Sequence, residues 1–115
     1  MNEAFTQWLA AHATAPGLLA CGIRASEISC VCHAASEKCP AEKMEKILHQ
    51  LAVAQPWLFN EPLAPRWSTW TFEHGQIRLV NRPDGLLLGM VAAPDAAAQN
   101  LDQLAEEFLA LPPAG

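Results

Sequence analysis

The chain has 115 residues, of which 51% are hydrophobic, and it carries a formal net charge of -5. This length predicts one domain spanning residues 1–115, and the acidic balance argues against binding to nucleic acid or to an anionic membrane surface, since both need a cationic stripe. No stretch is long and apolar enough to suggest a membrane span, and Glu3 stands where a signal peptide would carry positive charge. We therefore expect a cytoplasmic protein.

A helix and two strands are predicted in the first third of the chain. Apolar side chains recur at helical spacing over residues 3–13, and Asn2 is a good residue to cap that helix. Residues 17–24 are almost wholly apolar, which predicts a strand that is covered on both faces. Residues 28–33 alternate in polarity and predict a second strand beside the first.

A long helix is predicted over residues 40–55, with Pro40 at its first position, where the missing N–H costs nothing. Its outer face changes from acidic to weakly apolar along its length, from Glu42 and Glu45 through His49 to Ala52, Val53 and Pro56. A proline-rich linker over residues 57–65 follows, and its tryptophan, leucine and phenylalanine side chains suggest that it covers the core or meets a partner. The core stripe of the helix consists of Met44, Ile47, Leu48 and Leu51.

Three antiparallel strands joined by two tight turns are predicted next. Residues 66–73 alternate strictly, and a reversal at His74 and Gly75 leads into a strand over residues 76–81. A second turn at residues 83–85 leads into residues 86–93, an apolar run that must be covered on both faces.

A last helix is predicted to begin at Asp95, as its N-cap, and to hold Asp102 on a solvated face. The fold class is then an α+β sandwich with helices on both faces of a single five-stranded antiparallel sheet, in the order α-β-β-α-β-β-β-α. The apolar strands 17–24 and 86–93 are expected at the centre of the sheet.

The strand at residues 66–73 is then expected at an edge of the sheet. Edge strands usually carry lysine, proline or a bulge that prevents pairing with another chain, and residues 67–72 have neither charge nor proline. One interpretation is that the linker folds over this edge. The other is a homodimer that pairs the strand with its twin and places the helix at residues 40–55 alongside. The predicted interface consists of Trp67, Thr69, Trp70 and Thr71 of the strand with His49, Ala52, Val53, Pro56 and Trp57.

Four cysteines, Cys21, Cys30, Cys32 and Cys39, with His33, are the only group that resembles a ligand set, and strand alternation places Cys30 and Cys32 on one face. Zinc ligands usually come in pairs separated by two or more residues, and such pairs are missing here, so we expect buried thiols without a metal. The sequence also lacks a glycine-rich phosphate loop, a nucleophile elbow and a zinc-binding helix motif. We expect no catalytic residue, no cofactor and no enzyme activity.

The order of elements resembles that of the Roadblock family of dynein light chains and bacterial GTPase regulators. The segment PGLLACGI at residues 16–23 resembles the glycine-containing first strand of that family, LLLGMV at residues 86–91 its last strand, and residues 100–111 its closing helix. The resemblance implies a Roadblock/profilin-like fold and a homodimer or heterodimer built through the third strand and second helix. It further implies a non-enzymatic scaffold for a Ras-like small GTPase, a sister subunit or a larger assembly.

Two alternatives remain open. A PAS-type ligand sensor has a similar sheet, but it places several short helices between its second and third strands, and a deep pocket beside Cys21, Cys30 or Trp70 would favour it. Metal or thiol chemistry at the cysteines is the other alternative.

Overall fold

The computed structural model describes residues 3–26, 28–58 and 67–112, except for the side chains of residues 55–58 and 67. The predicted order of three helices and five strands is confirmed, with most boundaries within three residues of those expected. The elements are α1 (Glu3–His12), β1 (Leu18–Ser26), β2 (Ser29–Ala34), α2 (Ala41–Leu58), β3 (Trp67–Phe72), β4 (Gly75–Asn81), β5 (Leu87–Ala92) and α3 (Ala98–Ala110).

The five strands form one antiparallel sheet in the order β2-β1-β5-β4-β3. The apolar strands β1 and β5 are neighbours near its centre, as predicted, because both of their faces are covered by helices. β2 and β3 form the two edges. Within the described part of the chain, no helix is long and apolar enough to cross a membrane.

One face of the sheet is covered by α1 and α3. Phe5 of α1 meets Phe108 of α3 edge-to-face, with ring centroids 6.2 Å apart. The core on this face also contains Leu9, Ile23, Val80, Leu88, Met90 and Leu101, all almost fully buried.

The other face is covered by α2, which packs closely because two glycines face it. Gly22 of β1 and Gly89 of β5 are directly opposite each other in the sheet. A Cβ atom at Gly89 would lie 2.7 Å from Leu48 Cδ1 and 2.9 Å from Met44 Cε, so a larger residue would push α2 outwards. Met44 and Leu48 are fully buried in this core, together with Ala20, Leu79 and Leu87.

Two buried arginines fix α3 to the sheet. Arg78 of β4 donates to the carboxylate of Asp102 in α3. Arg82, just after β4, donates to the backbone oxygens of Phe108 and Pro112 at the end of α3 and to the carboxylate of Asp84. The Phe108 carbonyl also accepts the backbone N–H of Leu111, so Arg82 supplies a second donor at this helix end.

Two predictions about α3 are wrong. The helix does not begin at Asp95: its N-cap is Ala97, which makes no side-chain cap hydrogen bond, because Pro94 and Asp95 form a turn before it. Asp102 does not lie on a wholly solvated face, since its carboxylate pairs with Arg78. That pair could not be read from the sequence because its members are 24 residues apart.

Candidate partner-binding surface

The candidate partner-binding surface is centred on the edge strand β3. Among the described strands it pairs with β4 alone, so its other edge presents backbone N–H and C=O groups. Its six residues, WSTWTF, include no charge and no proline. Such an edge is a template for pairing with another strand.

The two faces of β3 differ in character. Thr69 and Thr71 are exposed and lie opposite Arg78 and Gln76 of β4, on the α3 face of the sheet. Trp70 and Phe72 lie on the α2 face. Trp70 is half-buried, and its Nε1–H donates to Ser68 Oγ at 3.3 Å, whereas Phe72 is 52% exposed. The α2 side of this edge is therefore apolar and partly open to solvent.

The flank of α2 that faces β3 follows from helix geometry. Met44 and Leu48 point at the central glycines, and each residue turns the helix by 100°. Ile47 and Leu51 therefore lie to one side of this line, whereas Glu45 and His49 lie to the other. Since Glu45 and His49 face β1 and β2, the Ile47 side faces β4 and β3.

The position of His49 fixes this assignment. Arg24 Nε, on β1, donates to His49 Nδ1 at 2.9 Å, and Glu45 Oε1 lies 3.6 Å from His49 Nε2. β1 is three strands from β3, a distance of about 14 Å at the usual strand spacing. The prediction that His49 lies on the outer face of α2 is wrong, because the ring is half-buried against the arginine of β1.

The other residues of the predicted interface are distributed as follows. Thr69, Trp70 and Thr71 lie on the open strand, as expected. Ala52 is half-buried against the α2 core, and Val53 is 62% exposed. The side chains of Pro56, Trp57 and Trp67 lie outside the described residues, as does most of the linker that one of the two interpretations places over this edge.

The predicted interface omitted three apolar residues that are at least partly exposed to solvent. These are Ile47 and Leu51, on the flank of α2 that faces β3, and Phe72 on β3 itself. Ile47 and Leu51 are half-buried at the margin of the α2 core, together with Trp70 and Ile77. The apolar stripe of α2 predicted only that they meet the sheet. The flank that faces the edge strand depends on the direction in which α2 crosses the sheet. The periodicity of apolar residues in the sequence does not specify that direction.

The cysteines divide between the two faces of the sheet. Cys21 is buried on the α1 and α3 face, whereas Cys30, Cys32 and Cys39 join the α2 core, and all four are free thiols. Burial raises the pKa of Cys21 from 9.0 to about 12, and burial is also the main cause of the raised pKa values of Cys30, Cys32 and Cys39. Within the described ranges, no three histidine, cysteine or acidic side chains are arranged to hold a metal ion.

A PAS-type sensor was expected to have several short helices between β2 and β3 and a deep pocket beside Cys21, Cys30 or Trp70. Between β2 and β3 the described residues form one long helix, Ala41–Leu58, rather than several short helices. The cavity beside Cys21 has a volume of about 10 Å³, enough for one water molecule, whereas ligand pockets usually measure about 300–1,000 Å³. This cavity is too small for a signalling ligand.

Comparison with solved structures identifies the fold. The chain is similar to the crystal structure of a Roadblock/LC7 domain from Streptomyces avermitilis, with a TM-score of 0.59 and 11% sequence identity. The match covers 89% of this chain and 92% of that one. No protein-family model matches the sequence, and no curated protein matches it. The resemblance inferred from the order of elements is therefore confirmed for the fold.

Proposed function

We propose that this chain, which has the fold of a Roadblock/LC7 domain, is a non-catalytic dimerisation module that serves as a platform for another protein. Two copies would pair along β3 about a two-fold axis and join their sheets into one. An interface of this kind is isologous, so every contact that one copy makes is repeated by the other. The module would bring binding surface rather than chemistry to its partner.

The observation that carries the proposal is the uncharged open edge of β3. Pairing with a twin strand would satisfy its outer backbone groups, which natural sheets otherwise protect with charge, proline or bulges. The apolar flank beside it supports the same interpretation. Ile47 and Leu51 of α2, with Phe72 of β3, would be covered by the same groups of the second copy.

The fold also suggests the class of partner. The α2 helices of the two copies would lie on the same face of a continuous sheet, giving a rigid surface wide enough for a globular protein. We propose a Ras-like small GTPase or a larger assembly in the cytoplasm as the partner, and a sister subunit of the same fold could replace one copy.

The first experiment is the mass in solution by light scattering. The natural chain is expected at twice its monomer mass of 12.5 kDa. The double variant Thr69→Lys with Thr71→Lys should give a folded monomer. Both side chains are exposed, and in a dimer the new lysines would lie close to those of the second copy, where their like charges repel. Thr14→Lys, an exposed substitution away from β3, serves as the matched control and should stay dimeric.

Two results would contradict the proposal. One is a monomeric natural chain whose β3 amides are protected from hydrogen exchange, which would mean that another segment of the same chain covers the edge. The other is a double variant that keeps the mass of a dimer. For the platform role, the natural chain would be mixed with Ras-like GTPases encoded near its gene, and only the dimeric forms should bind.

A further inference from the structure

A pair of thiols lies on β2, at the edge of the sheet opposite β3. Cys30 and Cys32 point to the α2 face, and their sulfur atoms are 3.6 Å apart. Both side chains are half-buried and both thiols are free. Because β2 is at the other edge of the sheet, this pair is separate from the proposed dimer surface.

The geometry disfavours a disulfide between the two residues. Alternate residues of a strand are about 6.6 Å apart along the chain, whereas a disulfide needs Cβ atoms about 3.5–4.5 Å apart. Joining the sulfurs directly would therefore break the pleat of β2. An ion placed between the sulfurs spans a longer distance and leaves the strand regular.

The surroundings provide shielding and a compensating charge. Cys32 Sγ lies 2.7 Å from the position that a Cβ atom of Gly22 would take. Leu48 of α2 covers the same glycine. Arg24 lies opposite Cys30 in the sheet and brings one positive charge to the pair, whereas Glu45 of α2 brings one negative charge. Two thiolates, one monovalent cation, this guanidinium and the Glu45 carboxylate sum to a charge of -1.

We propose that Cys30 and Cys32 form a two-thiolate site for a soft monovalent metal ion, Cu(I). Thiolate sulfur is the ligand that Cu(I) prefers in proteins. Zinc needs four ligands, and the described side chains offer no third donor beside the pair. On binding, each thiol loses one proton to solvent and each sulfur forms one bond to copper, with no change of oxidation state.

The test is an oxygen-free titration of the reduced full chain with Cu(I) in competition with a chromophoric Cu(I) chelator. The chain should remove one equivalent of Cu(I) and release two protons. Alkylation of the folded chain followed by peptide mass spectrometry should then show that Cu(I) protects Cys30 and Cys32, whereas the buried Cys21 and Cys39 react to the same extent with and without Cu(I). Cys30→Ser and Cys32→Ser should each fail to compete with the chelator, whereas Cys39→Ser, the matched control, should bind as the natural chain does.

The protection experiment uses the natural chain, so it remains decisive if a serine variant fails to fold. Failure of the natural chain to remove one equivalent of Cu(I) would overturn the proposal. So would protection of Cys21 or Cys39 instead of the strand pair, or protection by Zn(II) but not by Cu(I). None of these results bears on whether β3 forms a dimer.

Discussion

Arg82 shows how one side chain can hold several elements together. Its guanidinium lies 4.8 Å from the ring centroid of Phe5 and 5.4 Å from that of Phe108, so it contacts both α1 and α3. The same group donates to Asp84 Oδ2 at 2.9 Å and to the Phe108 carbonyl at 2.6 Å. A buried arginine is tolerated here because its donors and its charge both find partners.

Arg82→Met is expected to lower the free energy of unfolding by about 3 kcal/mol. The methionine keeps apolar contact with the phenylalanine rings but leaves the Phe108 carbonyl without its side-chain donor. Urea unfolding measures the change. Lys46→Met, an exposed position on α2, is the matched control and should change stability by about 0.5 kcal/mol or less. Equal effects of the two substitutions would contradict this role of Arg82.

At the scale of elements, the position of α2 depends on the paired glycines of β1 and β5. Gly22 and Gly89 leave a flat strip across the centre of the sheet, and Leu48 lies on it within 3.2 Å of the position that a Cβ atom would take at either glycine. This close approach sets the height of the Ile47 flank of α2 above the sheet. The height of α2 above the sheet therefore affects the proposed dimer surface.

Gly89→Ala is expected to cost about 1–3 kcal/mol of stability, because the new methyl group overlaps Leu48 Cδ1 and Met44 Cε. In a Leu48→Ala background the same substitution should cost much less, because the overlapping methyl groups of Leu48 are gone. A double-mutant cycle by urea unfolding measures the coupling. Equal costs in both backgrounds would show that contact with Leu48 is not the cause.

At the scale of the whole molecule, burial of four thiols links stability to alkaline pH. Burial raises the pKa of Cys21 from 9.0 to about 12, and the other three thiols shift in the same direction. Above pH 9 the unfolded chain loses thiol protons that the folded chain keeps, so the unfolded state binds fewer protons. The contribution is complete below the unfolded pKa and is lost as pH rises through the folded one.

Stability should therefore fall between pH 9 and pH 12, with a slope of about 1.4 kcal/mol per pH unit for each thiol that stays protonated. Cys21→Ala should reduce this slope by the contribution of one thiol. Val80→Ala, which shortens a buried side chain without a thiol, should lower stability and leave the slope unchanged. Urea unfolding in the presence of a reductant measures both, and an unchanged slope in Cys21→Ala would contradict the prediction.

The sequence by itself determined the order of the elements, the central place of β1 and β5 and the place of β3 at an edge of the sheet. These depend on local alternation, turn residues and the apolar character of each strand, which neighbouring residues specify. It also predicted the thiols at Cys30 and Cys32 on one face, since side chains alternate along a strand.

Only the tertiary structure decided which residues meet across the sheet. The pairing of His49 with Arg24, the pairing of Arg78 with Asp102 and the bonds from Arg82 to the Phe108 and Pro112 carbonyls join residues 24–30 positions apart. Their geometry depends on the height and direction of each helix on the sheet. Patterns of neighbouring residues in the sequence do not predict that height or direction. For the same reason, periodicity predicted that α2 has two flanks, and packing decided that the flank of Ile47 and Leu51 faces β3.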